Sequence, residues 1–401
     1  MSRLHLLTIP TLAALLAPTF AAETPDATPG PVRNPPTPLV GTGGAGAEVG
    51  AAVGGAVESA LRNLRFGAYG EMHYNNFTGS TETDTLDFHR FVLLAETQIA
   101  ERWRFVGEIE FEHALIEDGA DGAVEVEQAY VEYRYLDDHV ARAGQMLVPI
   151  SIGNLYHEPT LFHGVERPLF DRVIIPTTWF ENGVGAYGRI SDGLDYGVAV
   201  QAGLNGADLD PETGIRGGRQ EGSESAAEDL MVTARLDYRP LNGLWLAAAI
   251  NHGGADQSEV GGDYDITVYT LEARYAAHGF DTGVSWAQVF NSHTEAVTPG
   301  ANNLPDSYYG LSAFLAYDVL SLITESTHQV YLFGRYEALE LHDDVPSQVT
   351  VDDSLNQQVY QYGVTWKPNP WVAIKADYRD VENDSDAPSQ DSWNLGVGFA
   401  F

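Results

Sequence analysis

The 401-residue chain contains no cysteine. Secreted chains often rely on disulfides, so stability here has to come from an extensive hydrogen-bonded structure. The sequence also lacks an uninterrupted apolar run of about 18 residues, which excludes a membrane-spanning helix. That test does not reach a β-barrel, in which only alternate residues face lipid. Basic residues are scarce. Lys and Arg total 21, only two of them lysine, against 57 Asp plus Glu, and the net charge is −36. Such a balance excludes a nucleic-acid binder, which needs a basic footprint. Disorder can produce a similar charge, but aromatic and β-branched residues alternate with polar ones through most of the chain. No nucleophile elbow or zinc-protease motif is present. The acidic stretches, such as Asp343-Asp344 and Asp352-Asp353, lack the spacing and glycine of a calcium loop. No catalytic residue, metal ligand or cofactor is expected, and the chain is not read as an enzyme.

The amino-terminal segment is separate in kind. Arg3 and His5 precede an apolar stretch from Leu6 to Ala17, and Thr19-Phe20-Ala21 places small residues at −3 and −1 of a cleavage site. Residues 1–21 therefore read as a secretory signal peptide. Residues 22–60 are rich in Pro, Gly and Ala and read as a flexible periplasmic tail. Val49, Val53, Val57, Leu61 and Leu64 fall near helical spacing, so a short helix is an alternative there.

From residue 61 to 401 the period is two, the signature of strands. Outward apolar sets recur: Phe91/Leu93/Ala95, Trp103/Phe105/Gly107/Ile109/Phe111 and Val131/Tyr133/Tyr135 come first. Val232/Ala234/Leu236/Tyr238, Tyr269/Leu271/Ala273/Tyr275, Tyr360/Tyr362/Val364/Trp366 and Val372/Ile374/Ala376/Tyr378 follow. Aromatics often end these sets, as interface girdles would. Tight connections near 100–101, 137–138, 191–192, 240–243, 278–279 and 368–370 alternate with longer polar ones, among them 206–227. The span 318–329 is an ambiguous turn. This rhythm predicts an all-β transmembrane antiparallel barrel of about 16 strands, with both ends in the periplasm.

The last strand shows the pattern most clearly. Trp393, Leu395, Val397, Phe399 and Phe401 share one face, and Asn394, Gly396, Gly398 and Ala400 the other. The apolar row should face lipid, and the small row should leave the lumen wide at that place. Phe399 and Phe401 resemble the aromatic ending that outer-membrane proteins present to their barrel insertion machinery.

With the apolar sets outside, the alternate positions fall inside. Arg90, Arg104, Arg134, Arg235, Arg239, Arg274, Lys375 and Arg379 then line the lumen with Glu96, Glu108, Glu110, Glu112, Glu132, Asp237, Glu272 and Asp377. The sorting is physically required, since Arg or Lys facing lipid at mid-membrane costs about 2–4 kcal/mol. Such rows either set up a transverse field or form cross-strand salt bridges along a wet wall.

One connection breaks the rhythm. About thirty residues, 149–178, read PISIGNLYHEPTLFHGVERPLFDRVIIPTT and are rich in Pro and aromatics. A loop that apolar should fold inward and narrow the pore. His157, Glu158, Glu166, Arg167, Asp171 and Arg172 are its candidate eyelet residues, with loop anchoring as the competing role for Glu166 and Arg167. Gly183, Gly185 and Gly188 beside it could let it pack closely enough to plug the barrel.

The stretch 144–188, with MLVPI, HEP, GVERP, IIPTTW and ENGVG, resembles the central block of the phosphate-selective porin O and P family. The likeness extends to the overall layout from about residue 65 to 401. It implies a water-filled, trimeric barrel that passes small hydrophilic solutes across the outer membrane of a Gram-negative-type bacterium, in contact with lipid and lipopolysaccharide. Phosphate-selective members carry an arginine ladder and a lysine cluster. With two lysines, this chain does not carry over phosphate selectivity.

Overall fold

The computed structural model describes residues 63–78, 83–116, 122–257, 263–294, 303–385 and 390–401. Residues 1–21, read as a signal peptide, the tail 22–60 and all of its alternative helix but Leu64 lie outside the described residues. The strands are β1 (Arg65–Thr78), β2 (Thr85–Ala100), β3 (Trp103–Glu112), β4 (Val124–Leu136), β5 (His139–Leu147), β6 (Phe180–Ser191), β7 (Leu194–Ala202) and β8 (Leu230–Leu241). They continue with β9 (Leu244–Gly254), β10 (Asp265–Ala277), β11 (Phe280–Asn291), β12 (Ser307–Asp318), β13 (Gln329–Asp344), β14 (Asn356–Asn369), β15 (Val372–Asn383) and β16 (Asp391–Ala400).

Each strand pairs antiparallel with its sequence neighbours, and β16 pairs with β1, so the 16-strand sheet closes. Closure leaves no free edge, which is how a chain without disulfides pairs its backbone. Ala68 and Phe401 exchange backbone hydrogen bonds of 2.9 and 2.8 Å across this seam. Short turns at one end alternate with long loops at the other, and the ambiguous span 319–328 is a turn closed by a short 3-10 helix, Val319–Leu322.

The alternation holds through the wall. Leu93, Trp103, Val232, Leu271, Tyr362, Ile374 and Leu395 are exposed on the outer face, while Val92, Thr233, Thr270, Thr365, Lys375 and Asn394 are buried inside. Aromatic pairs sit at two levels of that face. Trp103–Tyr133 and Phe280–Tyr317, both at 4.7 Å, lie by the short turns. Tyr336–Tyr360 at 5.2 Å and Tyr378–Trp393 at 4.8 Å lie toward the loops.

The lumen is not an empty tube. Ile150, Phe170, Ile174 and Ile175 of the β5–β6 loop pack with inward residues Ile266, Val268, Val289 and Leu339. Leu204, Leu209 and Ile215 of the β7–β8 connection join the same apolar cluster. The sequence pattern treats 206–227 as a polar external loop. Instead it folds into the barrel mouth, because its few apolar residues find partners on the constriction loop. Arg216 and Arg219 fasten it there by donating to the carbonyls of Thr177 and Thr178 at 3.2 and 2.9 Å.

Candidate functional site: the loop across the lumen

The β5–β6 loop leaves and rejoins the wall at one point. Val148 N–H donates to the Trp179 carbonyl at 2.9 Å. Asn154 then acts as an internal clasp. Its amide donates to the carbonyls of Val148 and Trp179 at 2.8 and 2.9 Å, and its oxygen accepts the Trp179 N–H at 2.8 Å. Asn154 sits in a single helical turn, α1 (Ile152–Leu155), whose N-cap Ser151 hydroxyl accepts the Asn154 N–H at 2.9 Å.

Beyond the clasp, irregular backbone crosses the lumen, and its polar groups need partners. Charged wall residues supply them. Three carboxylates accept N–H groups: Glu272 from Ile152 at 2.8 Å, Asp377 from Val165 at 2.7 Å and Glu337 from Phe170 at 2.8 Å. Three guanidiniums donate to carbonyls: Arg90 to His157 at 2.7 Å, Arg274 to Leu161 at 2.9 Å and Arg335 to His163 at 2.9 Å. Hydrogen bonds involving an ionised group contribute about 1.5–3 kcal/mol each. Lys375 Nζ lies 3.7 Å above the Phe162 ring, a cation–π contact.

The small row of β16 completes the seat. A Cβ at Gly396 would stand 2.9 Å from Val165, and one at Gly398 would stand 2.7 Å from Pro159. These glycines do not widen the lumen, as the strand pattern suggests; the loop fills the space they leave. Gly183, Gly185 and Gly188 have a different use. A Cβ there would first meet Val200, Tyr187 and His139, which belong to the wall rather than the loop.

The candidate eyelet residues separate into two groups. His157 is buried against β1 and β4, 2.9 Å from the Tyr69 hydroxyl and 3.6 Å from Glu127. Glu166 accepts from Asn75 at 3.0 Å and lies 3.0 Å from His73 Nδ1. Both face the wall. Glu158 is half-buried, and its Oε2 has no hydrogen-bond partner among the described residues. Arg167 donates to Thr177 at 2.8 Å. Arg167 and Asp171 border a cavity of about 90 Å³ that is also lined by Phe162, Glu272, Ser285 and Arg335. Arg172 is exposed, with no ion pair among the described residues.

Several wall charges pair with one another. Arg104 lies 3.1 Å from Glu96 and 3.0 Å from Glu132, and Arg142 lies 2.9 Å from Glu132. Arg235 bridges Asp237 at 2.8 Å and Glu272 at 3.3 Å, and Arg239 reaches Asp195 at 2.9 Å. Arg134 donates at 3.4 Å to the Glu101 carbonyl near a short turn. Glu108 and Glu110 are buried inside. Arg379 has no ion pair among the described residues and feels the charges of Glu337 and Arg172.

Sequence reasoning missed Arg335, Glu337 and Asp281, although they obey the same alternation. It also missed Tyr69, His73 and His163. His163 is buried between Asp281 and Thr365, 3.2 Å from each, and burial pushes its imidazole down to about 4. Among the described residues, two groups have ligand-type atoms close enough for a metal ion: Asp87, His89 and His113 toward the loop end, and Glu108, Glu127 and His157 inside.

An uncharacterized protein of Aquifex aeolicus (strain VF5) is 30% identical over 354 residues, which is 85% of this chain and 80% of that protein. The chain belongs to the family of that protein. No family model matches it. Among solved structures, Salmonella typhi OmpF in complex with daunomycin superposes with a TM-score of 0.58 at 14% identity, over 84% of this chain and 98% of that one. The outer membrane channel DcaP of Acinetobacter baumannii gives 0.55 at 10% identity, over 84% and 97%. An anion-selective porin from Comamonas acidovorans gives 0.55 at 13%, over 84% and 99%. At these identities the likeness is one of fold: a 16-strand barrel of the outer-membrane porin type.

Proposed function

We propose that this chain is an outer-membrane channel for passive diffusion of small hydrophilic solutes and ions, with its bore set by the 148–179 loop. One observation carries the proposal. Carboxyl and guanidinium groups of the wall hold the loop backbone across the lumen, which fixes a constriction in a barrel of porin fold. The exposed apolar wall with its two aromatic levels suits lipid and lipopolysaccharide, in the envelope of a Gram-negative-type bacterium. Phe399 and Phe401 suit recognition by barrel insertion machinery, and residues 1–21 suit export. No enzymatic step is assigned.

Membership in the phosphate-selective porin O and P family, and a trimeric assembly with it, rest on the resemblance over 144–188. Ion preference is set at the loop, not by the net charge, because charged side chains act most strongly where a pore is narrow. Arg172 and Arg379 favour anions there. Swelling of liposomes that contain the purified chain tests the channel. Entry of small sugars with a sharp size cut-off is expected. A second reading, a plugged structural barrel, is favoured by the apolar cluster in the mouth. Absence of swelling with every sugar would select the plug.

A further inference from the structure

At one place the loop meets the wall through side chains that are short of protons. The Tyr69 hydroxyl lies 2.9 Å from Glu108 Oε1, 2.9 Å from His157 Nε2 and 3.4 Å from Glu127 Oε2. His157 Nδ1 lies 2.9 Å from the Asn154 carbonyl oxygen. A carbonyl only accepts, so in the neutral ring Nδ1 carries the proton and Nε2 turns a lone pair toward the cluster. An imidazolium Nε2–H would reach the Tyr69 oxygen but not Glu127, which stands 3.6 Å away, beyond hydrogen-bond length. With the neutral ring, one hydroxyl proton serves three acceptors.

The nearby side-chain amide of Gln128 donates to the second oxygen of Glu108 and not to Glu127. Glu127 is fully buried, and its Oε1 has no hydrogen-bond donor among the described residues. Arg90 donates through Nε to Glu71 at 2.6 Å and through Nη2 to the His157 carbonyl at 2.7 Å, and its Nη1 makes no hydrogen bond among the described residues. Glu110 is a further buried carboxyl group in the same region. Glu127 is there because of a local irregularity. The β3–β4 register steps from Glu108↔Gln128 to Ile109↔Val126, so Glu127 is the extra residue of a bulge and is re-aimed inward.

The ligand-type atoms of Glu108, Glu127 and His157 all lie within 4.8 Å of one another. We propose that Tyr69, Glu108, Glu127 and His157 bind one divalent transition-metal ion of the Zn²⁺ class, which pins the constriction loop to the wall. One imidazole nitrogen and three oxygens from four segments suit four-coordinate zinc. Ca²⁺ takes six to eight oxygens, and Mg²⁺ keeps several waters. The hydrogen bond from His157 Nδ1 to a carbonyl is the outer contact that usually orients a metal-bound imidazole. The ion would neutralise two carboxylates and cross-link β1, β3, β4 and the loop. The site does not depend on whether the lumen conducts.

The test uses the full chain in detergent, stripped with a chelator, loaded with Zn²⁺ and desalted before metal analysis. One zinc retained per chain is expected. Glu127→Gln and Glu108→Gln should each weaken retention at least about tenfold, a loss of the size seen for metal-site changes. Asp87→Asn, in the half-buried Asp87/His89/His113 group, should leave that zinc in place. An anomalous-scattering map of wild-type crystals at the zinc edge, which needs no variant, should place the peak among the four side chains. No retained zinc, a peak elsewhere, or loss with Asp87→Asn but not with Glu127→Gln would overturn the proposal.

Discussion

Glu337 of β13 accepts the backbone N–H of Phe170 at 2.8 Å, so a wall carboxylate and a loop amide meet inside the barrel. The same relationship recurs at Glu272 and Asp377, and its mirror at Arg90, Arg274 and Arg335. Charges on the inner face thereby satisfy backbone groups that would otherwise lie buried and unpaired. Much of the inner charge of this barrel is spent on holding one loop, and less is left to face solute.

Glu272→Ala tests that use. It removes the acceptor for Ile152 and leaves Arg235 with Asp237 as its remaining partner. A loss of about 1.5–3 kcal/mol in unfolding free energy is expected, in line with hydrogen bonds to charged groups. Denaturant unfolding in detergent measures it, and an unchanged midpoint would show that the contact contributes nothing.

Gly398→Leu should push the loop off β16. Even a Cβ there stands 2.7 Å from Pro159, and Pro159 is rigid. The barrel should still form, since Gly398 pairs through its backbone with Glu71 and Ala373. Proteolysis within 155–170 should become faster than in wild type. Equal rates would mean that the glycine row is not the seat of the loop.

His163 gives the loop an acid limit. Burial holds its pKa near 4, below the ordinary value of 6.5, so the folded state binds fewer protons between those values. Its contribution to stability is complete above about 6.5 and is lost as pH falls toward 4. Melting temperatures of wild type and His163→Gln should diverge at high pH and converge on acidification across that window. A constant difference between pH 7 and 4 would contradict the assignment.

Arg172→Glu tests where ion preference is set. Arg172 is exposed on the loop and acts electrostatically on Glu166, Arg216 and Arg379. Reversing its charge should move the reversal potential in a salt gradient toward cation preference. Little or no shift would place selectivity elsewhere in the lumen.

The wall was legible in the sequence because a closed sheet with an apolar outer face and a polar inner face imposes a period of two on every strand. Leu93, Tyr362 and Lys375 lie where alternation puts them. The constriction loop was legible as an apolar, proline-rich break in that rhythm. Its docking was not. Whether Arg274 faces solute or the Leu161 carbonyl depends on tertiary approach, which no spacing encodes. Glu127 was hidden because a bulge inserts one residue and shifts the alternation without a local marker. The inward fold of the β7–β8 loop was hidden because Leu204, Leu209 and Ile215 are sparse among polar residues. Their burial depends on apolar partners distant in sequence.

Single-channel recording in planar bilayers tests the central claim most directly, with wild type compared against the Glu337→Gln, Asp377→Asn double variant. Small, uniform steps are expected from wild type. Larger and noisier steps are expected from the variant, in which Phe170 and Val165 lose their charged acceptors. Absence of steps from both proteins, despite insertion into the bilayer, would contradict a conducting lumen narrowed by a wall-held loop.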